Sequence, residues 1–380
     1  MKIALIGPVY PFRGGIAHHT AQLNAALRAR NHQVLLISFR RQYPGWLYPG
    51  ISDRDPSHPV LSPRAEYLLD PLNPNTWRQT IQRIEDFAPD MVILQWWTTF
   101  WSLAFHRLSA TLRSRNITVI YLIHNVFPHE QRPWDAPLAR LALRQGCRFI
   151  CQNPHEAQRL RELLPAVEET VCPLPVFPRR TEQNVARSSA RERLMISADE
   201  QVLLFFGIVR PYKGLRTLLE ALAIMRQQGS APTLIIAGEF WESRRDYQQL
   251  IHKLGLTAQV RIDDRYIPDE EADLYFSAAE LFVAPYLAGT QSGSVALALG
   301  YGLPVIATER IADGVSPEFR DKLVVVKSGD AAALAQAIRS QLDRADNPAP
   351  VRPSPKQDWD RLVALIEQYG ATSQPSQGKE

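Results

Sequence analysis

Residues 203–219 read LLFFGIVRPYKGLRTLL, and this stretch decides the predicted fold. The apolar run Leu203–Phe206 predicts a buried parallel strand that stops at Gly207. A helix with one apolar face follows, and a short loop carrying Arg210 and Lys213 joins the two. In open α/β sheets, ligands bind outside the carboxyl ends of the strands, and helix N-termini attract anions. The loop therefore predicts a phosphate or diphosphate site, unless its two cations are only solvated loop charges.

Strand and helix patterns alternate on both sides of this stretch, which predicts parallel sheets covered on both faces. A chain of 380 residues is long enough for two domains. We predict an N-terminal domain over 1–176 and a C-terminal domain over 177–352. A helix over 353–370 is expected to return to the first domain, and the polar residues 371–380 are expected to be disordered.

The composition indicates a globular protein, with 45% hydrophobic and 22% charged residues. No apolar run is long enough for a spanning helix, and the first residues predict a strand and a turn rather than a signal peptide, so we expect a cytoplasmic protein. Cys147, Cys151 and Cys172 are too few for a disulfide scaffold and lack metal-ligand spacing. They are expected to be small core residues in a reducing compartment.

The net charge of +4 is unevenly distributed. Residues 1–178 contain 19 Lys and Arg against 13 Asp and Glu, hence +6, and the remainder carries −2. This excess could attract an acidic acceptor or an anionic membrane surface, although an ordinary solvated surface explains it equally well. No nucleic-acid partner is expected.

The first domain offers several candidate site residues. Gly14 and Gly15 precede a helix and would leave its backbone N–H groups uncovered for a ligand. His124 directly follows a strand, which favours a site residue over a loop hydrogen bond only slightly. A cluster of four aromatic residues ends the preceding strand and could form an acceptor platform, a membrane-facing wedge or core packing: Trp96, Trp97, Phe100 and Trp101. His18 is a further acceptor candidate.

Residues 40–75 are rich in Pro, Asp, Ser and Tyr and lack a clear period. So long an irregular connection predicts a functional loop.

Five segments together resemble family 4 of the glycosyltransferases: GGIAHHTAQLNAALRARNHQV (14–34), IHNVFPHE (123–130), FFGIVRPYKGLRTLLEAL (205–222), YIPDEEADLYFSAAELFVAPY (266–286) and TQSGSVALALGYGLPVIAT (290–308). The resemblance covers nearly the whole chain. It implies the GT-B architecture, in which two Rossmann-like, doubly wound α/β domains face each other across a cleft. It also implies a nucleotide-sugar donor and no metal or other cofactor.

The resemblance assigns a role to each candidate residue. Arg210 and Lys213 would bind the donor diphosphate, and His124 would contact the transferred sugar. The loop at Gly14 and Gly15 would close over donor and acceptor. The remaining donor-binding candidates lie around the base, the phosphates and the ribose: Gly207, Ile267, Pro268, Thr290, Gln291, Ser292, Gly293 and Ser294.

The chain departs from the family pattern at two positions. Many members carry two glutamates, eight residues apart, where this sequence has Gly289 and Leu297. Neither can accept a hydrogen bond through its side chain. This indicates a different mode of donor binding or a loss of activity. The missing hydrogen-bond acceptor could be supplied by Asp263, Asp264 or Glu239.

The sequence therefore predicts a retaining glycosyltransferase that acts in cell-surface polysaccharide or glycolipid synthesis, peripheral to the inner membrane face if the basic surface binds lipid. A sugar-nucleotide epimerase or hydrolase of the same architecture would need an acid and base pair of carboxylates, and the sequence offers no convincing one. A non-catalytic glycan- or nucleotide-binding subunit is the third hypothesis, and Gly289 and Leu297 favour it.

Overall fold

The computed structural model describes residues 1–44, 50, 52–128, 130–181, 185–229, 231–344 and 355–372. The chain divides into two compact units. Unit 1 takes Met1–Asp55, Leu61–Pro173 and Lys356–Glu380, and unit 2 takes Pro56–Val60 and Leu174–Pro355. Most of the predicted tail, residues 373–380, lies outside the described residues.

Unit 1 is built on a seven-stranded parallel sheet in the order β3-β2-β1-β4-β5-β6-β7. Its strands are β1 Lys2–Ile6, β2 Gln33–Phe39, β3 Glu66–Leu69, β4 Met91–Trp96, β5 Thr118–Ile123, β6 Arg148–Cys151 and β7 Glu169–Val171. Its helices are α1 Gly15–Ala29, α2 Pro74–Phe87, α3 Ser102–Ser114, α4 Asp135–Leu143, α5 Pro154–Leu163 and, from the end of the chain, α13 Lys356–Thr372. The central strands β1, β4 and β5 are almost entirely buried, as expected for a sheet covered on both faces.

Unit 2 is built on a six-stranded parallel sheet in the order β10-β9-β8-β11-β12-β13. Its strands are β8 Val202–Phe206, β9 Thr233–Ala237, β10 Val260–Asp263, β11 Leu281–Ala284, β12 Val305–Thr308 and β13 Leu323–Val326. Its helices are α6 Arg187–Arg193, α7 Leu215–Gln227, α8 Arg244–Lys253, α9 Asp269–Ala278, α10 Gly293–Gly300, α11 Glu309–Ala312 and α12 Ala331–Leu342. In both sheets the order runs outward in two directions from the first strand, so the prediction of two doubly wound α/β domains is confirmed.

The connection over residues 40–75 is more structured than the sequence predicted. The strand β3 pairs with β2 at the edge of the sheet, with a register shift at Ser38/Phe39. The sequence missed it because the strand has only four residues, EYLL, with one buried side chain. Residues 56–60 pack in unit 2, where the hydroxyl of buried Ser57 accepts a hydrogen bond from the Asp269 amide at 2.9 Å.

Three of the four clustered aromatic residues are core residues. Trp96 and Trp101 have no exposed surface, and Trp97 is 8% exposed. The Trp96 indole N–H donates to the Val126 carbonyl, and the Trp97 indole donates to the Tyr43 hydroxyl. A platform or wedge formed by Trp96 or Trp101 is therefore wrong, because sheet and helix packing bury both rings.

No helix in the described part of the chain combines the length and the hydropathy that crossing a bilayer requires.

Candidate active site

The strand order of each unit has a switch point, where successive connections leave in opposite directions. It lies between β8 and β11 in unit 2 and between β1 and β4 in unit 1. Open α/β sheets bind ligands outside the carboxyl ends of the strands at this point. Arg210 and Lys213 follow β8, and Gly14 and Gly15 follow β1, so these predicted site residues come directly after a strand that borders the switch point.

Gly207 begins the loop after β8, where the backbone passes close to two functional side chains. Its φ is +98°, a region that favours glycine. A Cβ at this position would lie 2.9 Å from the Ser294 hydroxyl and 3.4 Å from the Lys213 ammonium. The absence of a side chain at Gly207 therefore allows the Ser294 hydroxyl and the Lys213 ammonium to lie close to its backbone. The role of Gly207 in donor binding stays a prediction.

Lys213 is a buried cation at the switch point, with 8% of its surface exposed. Its ammonium lies 5.6 Å from the centre of the Tyr286 ring, just after β11. Burial lowers its pKa, and the nearby Arg210 charge lowers that pKa further, whereas Tyr212 acts in the opposite direction. Within the described residues, the ammonium has no carboxylate partner and no hydrogen-bond acceptor. A buried cation is unfavourable unless an anion compensates it, so Lys213 is a candidate for binding an anionic group.

Arg210 is half-buried between two aromatic rings. Its guanidinium carbon lies 5.1 Å from the Trp241 ring centre and 6.0 Å from that of Tyr212. Aromatic faces hold a planar guanidinium in one orientation.

The segment before α10 completes this group of donors. Ser292 is the N-cap residue, and its hydroxyl accepts from the Val295 amide at 3.3 Å and lies 3.0 Å from the Tyr286 hydroxyl. Burial raises the pKa of Tyr286 to about 12, so this phenol stays protonated at neutral pH. The Thr290 hydroxyl is buried, and no partner for it lies within the described residues. Gln291 and Ser294 are half-buried, and Gly293 opens the helix.

Ile267 and Pro268 precede α9. Ile267 is buried and Pro268 is half-buried. Because Asp269 donates its amide to Ser57, the segment 56–60 fixes the start of this helix.

The two departures from the family pattern are visible in the backbone. Gly289 has φ +122°, which favours glycine, and Leu297 is a core residue of α10. Asp263 binds Arg265 and the Tyr275 hydroxyl.

Two other carboxylates were alternatives for the missing acceptor. Asp264 accepts from the Phe240 amide at 3.0 Å. Glu239 is 5% exposed. Its backbone carbonyl accepts a hydrogen bond from the Val209 amide at 2.9 Å, which places Glu239 beside the loop that carries Arg210 and Lys213. Glu239 is thus the best-placed of the three.

In unit 1, the backbone at the start of α1 is uncovered by the described side chains. Gly14 has φ +113°, and a Cβ at Gly14 or Gly15 would meet no atom of a described residue within 4 Å. Gly14 is the N-cap residue, and none of the described side chains caps the helix there. His18 is half-buried in the first turn.

His124 is 3% exposed and lies in a buried polar cluster, together with His19, Gln95 and Gln152. Its Nε2 hydrogen-bonds Gln95 Oε1. Gln95 Nε2 lies 3.3 Å from His19 Nδ1, and the amide nitrogen of Gln152 lies 2.7 Å from His19 Nε2. Gly7 leaves room for this cluster, since a Cβ there would be 2.7 Å from Gln95 Cγ.

Both imidazoles of this cluster are neutral at neutral pH. Burial lowers the pKa of His124 to about 3, although a hydrogen bond with Gln152 acts in the opposite direction. Burial also lowers the pKa of His19 well below its ordinary value, and His124 adds to this effect.

The sequence analysis missed His19, Gln95 and Gln152. Gln95 and Gln152 come at the carboxyl ends of the apolar runs MVIL (91–94) and FIC (149–151), the same position that singled out His124. The signal was therefore available. His19 is adjacent to His18 on α1, and only the rotation of that helix decides which of the two points inward.

Within the described residues, no three His, Cys, Asp or Glu side chains are grouped so that they could hold a metal ion.

Two family descriptions match the sequence. Residues 13–176 match "Glycosyltransferase Family 4", and residues 200–344 match "Glycosyl transferases group 1". Together they cover most of the chain.

Among curated proteins, the chain is 29% identical over 254 residues to a D-inositol 3-phosphate glycosyltransferase of Catenulispora acidiphila. It is 27% identical over 260 residues to a GDP-mannose:glycolipid 4-beta-D-mannosyltransferase of Xanthomonas campestris pv. campestris. These matches cover 61% and 65% of this chain, and 60% and 66% of the two relatives. The chain thus spans under two thirds of each relative's length.

A sucrose-phosphate synthase from Thermosynechococcus elongatus is similar in structure, with a TM-score of 0.68 and 20% identity. The superposition covers 98% of this chain and 99% of that one. At this identity the similarity shows the fold, a two-domain GT-B architecture.

Proposed function

Because the chain belongs to family 4 of the glycosyltransferases, within group 1, we propose that it transfers a sugar from a nucleoside diphosphate donor to a hydroxyl of a glycan or lipid-linked acceptor. The relatives named above act on phosphorylated inositol or on a glycolipid, one of them with GDP-mannose as its named donor. The acceptor proposed here is part of a cell-surface polysaccharide or glycolipid.

The observation that carries this proposal is the uncompensated charge of Lys213. A buried ammonium at the switch point, beside the stacked Arg210 and the start of α10, suits a ligand with concentrated negative charge. The buried Thr290 hydroxyl and the backbone at Gly207 add donors around the same place. A diphosphate fits this donor set, because its charge grows as the sugar departs and preorganised cations stabilise that growth.

The mechanism follows from this assignment. Arg210 and Lys213 stabilise the leaving nucleoside diphosphate, whose own phosphate oxygen assists the attack of the acceptor hydroxyl, so that the anomeric configuration is retained. Neither a metal ion nor another cofactor is part of this proposal. Glu239 replaces the absent glutamates as the carboxylate that accepts hydrogen bonds from the hydroxyl groups of the nucleotide sugar. By the family resemblance, Ile267 and Pro268 are proposed to contact the base, and His124 and the loop at Gly14 and Gly15 are proposed to contact the sugar and the acceptor.

We also propose that unit 1 associates with an anionic membrane surface, through Trp134 rather than through the aromatic cluster at Trp96–Trp101. Trp134 is 53% exposed at the start of α4, and Leu103 is 58% exposed at the start of α3. The two helix starts are joined by a hydrogen bond between Thr99 and Asp135. The Arg132 guanidinium lies 5.5 Å from the Trp134 ring. Exposed apolar side chains beside a cation are the combination that binds the interface of an anionic bilayer.

The proposed function is tested by a screen of UDP-, GDP- and dTDP-sugars. A ligand that binds only the folded protein raises its melting temperature, and we expect one nucleotide class to do so. The stabilising donor is then incubated with and without acceptor glycolipids, with and without EDTA. Acceptor-dependent transfer that is unaffected by EDTA supports the proposal. Isomerised or hydrolysed sugar without acceptor would assign the epimerase or hydrolase alternative, and stabilisation without any chemistry would indicate a binding subunit.

A further inference from the structure

The buried polar cluster of unit 1 contains four side chains with no formal charge at neutral pH. Gln95 lies in β4, His124 directly follows β5, Gln152 directly follows β6, and His19 lies on α1. Each is at most 3% exposed. Adjacent parallel strands bring their carboxyl ends to one edge, so β4, β5 and β6 place three of the four side chains side by side. This cluster is called the polar ring below.

The hydrogen bonds of the polar ring can be assigned one by one. Gln95 Oε1 is a carbonyl oxygen and only accepts, so His124 carries its proton on Nε2. The Gln95 amide nitrogen donates, so His19 Nδ1 accepts and a neutral His19 carries its proton on Nε2. That proton needs an acceptor, which the Gln152 amide supplies when its oxygen faces His19. The oxygen and nitrogen of such an amide exchange places by a half rotation, and the hydrogen-bond network decides between them.

With this orientation, the Gln152 amide nitrogen is left to donate to His124, its other hydrogen-bond partner. The donors then run in one direction, from Gln95 to His19, from His19 to Gln152, from Gln152 to His124, and from His124 back to Gln95. Rotating the Gln95 amide instead of the Gln152 amide reverses every donor: both imidazoles then carry their proton on Nδ1, and Gln152 accepts from His124, which agrees with its raising effect on the His124 pKa. In either direction, each ring nitrogen of both imidazoles is satisfied. A fully satisfied buried network fixes its members in one arrangement.

We propose that Gln95, His19 and Gln152 are positioning residues that close this ring around His124, and that His124 serves the transfer reaction by holding the end of β5 in place rather than by exchanging a proton. This inference rests on the proposed function for its role, but the ring itself is a property of the protein without substrate. It assigns functional side chains beyond the donor-binding set, and it leaves acid–base assistance to the donor phosphate.

The surroundings support a ring that stays uncharged. Trp359 of α13 covers His19, with ring centres 5.1 Å apart. Two buried carboxylates lie on helices of the same unit, and each is paired. Glu156 of α5 accepts from the Val126 amide at 2.5 Å and from Arg159 at 2.9 Å.

The second of these carboxylates, Asp358 of α13, lies 3.5 Å from Arg361. Neither carboxylate is among the groups that shift the pKa of His19 or His124.

The first test needs no activity. Side-chain 15N–1H correlation spectra of the full-length protein, assigned with His19→Gln and His124→Gln variants, report the tautomer of each imidazole. We expect both histidines to be neutral and protonated on the same ring nitrogen, without change between about pH 8 and about pH 6. An imidazolium at either position in this range, or a different tautomer in each of the two histidines, would overturn the proposal. Because wild-type protein is measured, poor folding of a variant does not weaken this test.

The second test is a pH profile with a matched pair of variants. Gln95→Glu places a carboxylate against His124, and Gln79→Glu makes the same change on the exposed face of α2. We expect wild type and Gln79→Glu to give a flat kcat between about pH 6 and about pH 8, and Gln95→Glu to gain an ionisation there. We also expect Gln95→Glu to lower kcat by about 10- to 100-fold, the scale typical of residues that orient a functional histidine, with donor Kd unchanged.

The outcomes separate this inference from the proposed function. Neutral histidines with matching tautomers in a protein that transfers no sugar would refute the function and leave the ring intact. A wild-type kcat that falls with protonation of a group lost in His124→Gln would show that His124 exchanges a proton, and the positioning role would be wrong.

Discussion

The carboxyl edges of the two sheets are built from opposite chemical groups. In unit 1, four neutral side chains satisfy one another, and the imidazoles remain uncharged because burial keeps their pKa values low. In unit 2, the same topological position holds Lys213, a buried ammonium whose contact is an aromatic face rather than a carboxylate. The two edges share strand order and burial, so the difference lies in the side chains alone.

This difference indicates what each edge contributes. A satisfied neutral network stabilises its unit and holds the backbone in one geometry. A buried cation without an anionic partner destabilises its unit until a ligand supplies the charge. The first arrangement therefore suits positioning, and the second suits the stabilisation of a leaving diphosphate.

The largest effect is expected from Lys213→Ala. Removing one preorganised donor to developing negative charge costs about 2.7–4 kcal/mol, or about 10²–10³ in kcat. Steady-state transfer rates at saturating donor measure it. Lys253→Ala, at an exposed position of α8, is the control and is expected to behave like wild type. An unchanged rate in Lys213→Ala would remove this residue from the mechanism.

The two edges are expected to respond to the same replacement with opposite sign. Lys213→Met removes a buried uncompensated charge at similar volume, so the free energy of unfolding should rise by about 1–3 kcal/mol. Gln95→Met leaves its ring partners without hydrogen bonds, so that free energy should fall by about 1–3 kcal/mol. Urea denaturation of both variants without ligand measures the shifts. Destabilisation of both proteins would show that the folded protein already compensates the charge of Lys213, and it would contradict the contrast between the two edges.

The pH dependence of binding should come from unit 2. As the pH rises through the lowered pKa of Lys213, the ammonium loses its charge, so affinity for a nucleoside diphosphate should fall at a pH below that expected for an ordinary lysine. Stability of the free protein should change in the opposite direction, because the unfolded chain then binds the extra proton. Titrations of wild type and Lys213→Arg test this, since arginine keeps its charge. Parallel pH curves would exclude Lys213 as the titrating group.

The smallest effect concerns the surface around Trp134. Trp134→Ala should weaken binding to vesicles containing anionic lipid by about 1.5–3 kcal/mol or less, the amount for burying one large apolar side chain. Co-sedimentation at two salt concentrations measures it, with neutral vesicles for comparison. Val60→Ala, at another exposed apolar position, is the control. Binding that depends on neither the vesicle charge nor Trp134 would refute the proposed membrane surface.

Much of the fold was predictable because strand ends in this chain are sharply marked. The run LLFF stops at Gly207, and that glycine has the positive φ that such a turn requires. The same reasoning found His124. The strand β3 was not predictable, because it lies at the sheet edge and lacks a run of buried apolar residues.

The charged residues of the candidate site were predictable from the sequence, whereas its neutral polar residues were harder to predict. Arg210 and Lys213 are conspicuous in an apolar stretch, whereas Gln95 and Gln152 resemble ordinary polar residues at the ends of strands. The burial of Trp96 and Trp101 depends on packing between the sheet and its covering helices, and a cluster of aromatic residues in the sequence does not reveal that packing. Pairing within the polar ring depends on side-chain direction and is visible only in three dimensions.

Calorimetric titration of a nucleoside diphosphate, chosen by the donor screen, into wild type, Lys213→Ala and Lys253→Ala tests the central claim most directly. The account predicts that wild type and Lys253→Ala bind alike and that Lys213→Ala binds at least tenfold more weakly, about 1.4 kcal/mol. Equal affinity in all three proteins would show that the buried ammonium does not meet the diphosphate, and would contradict the account.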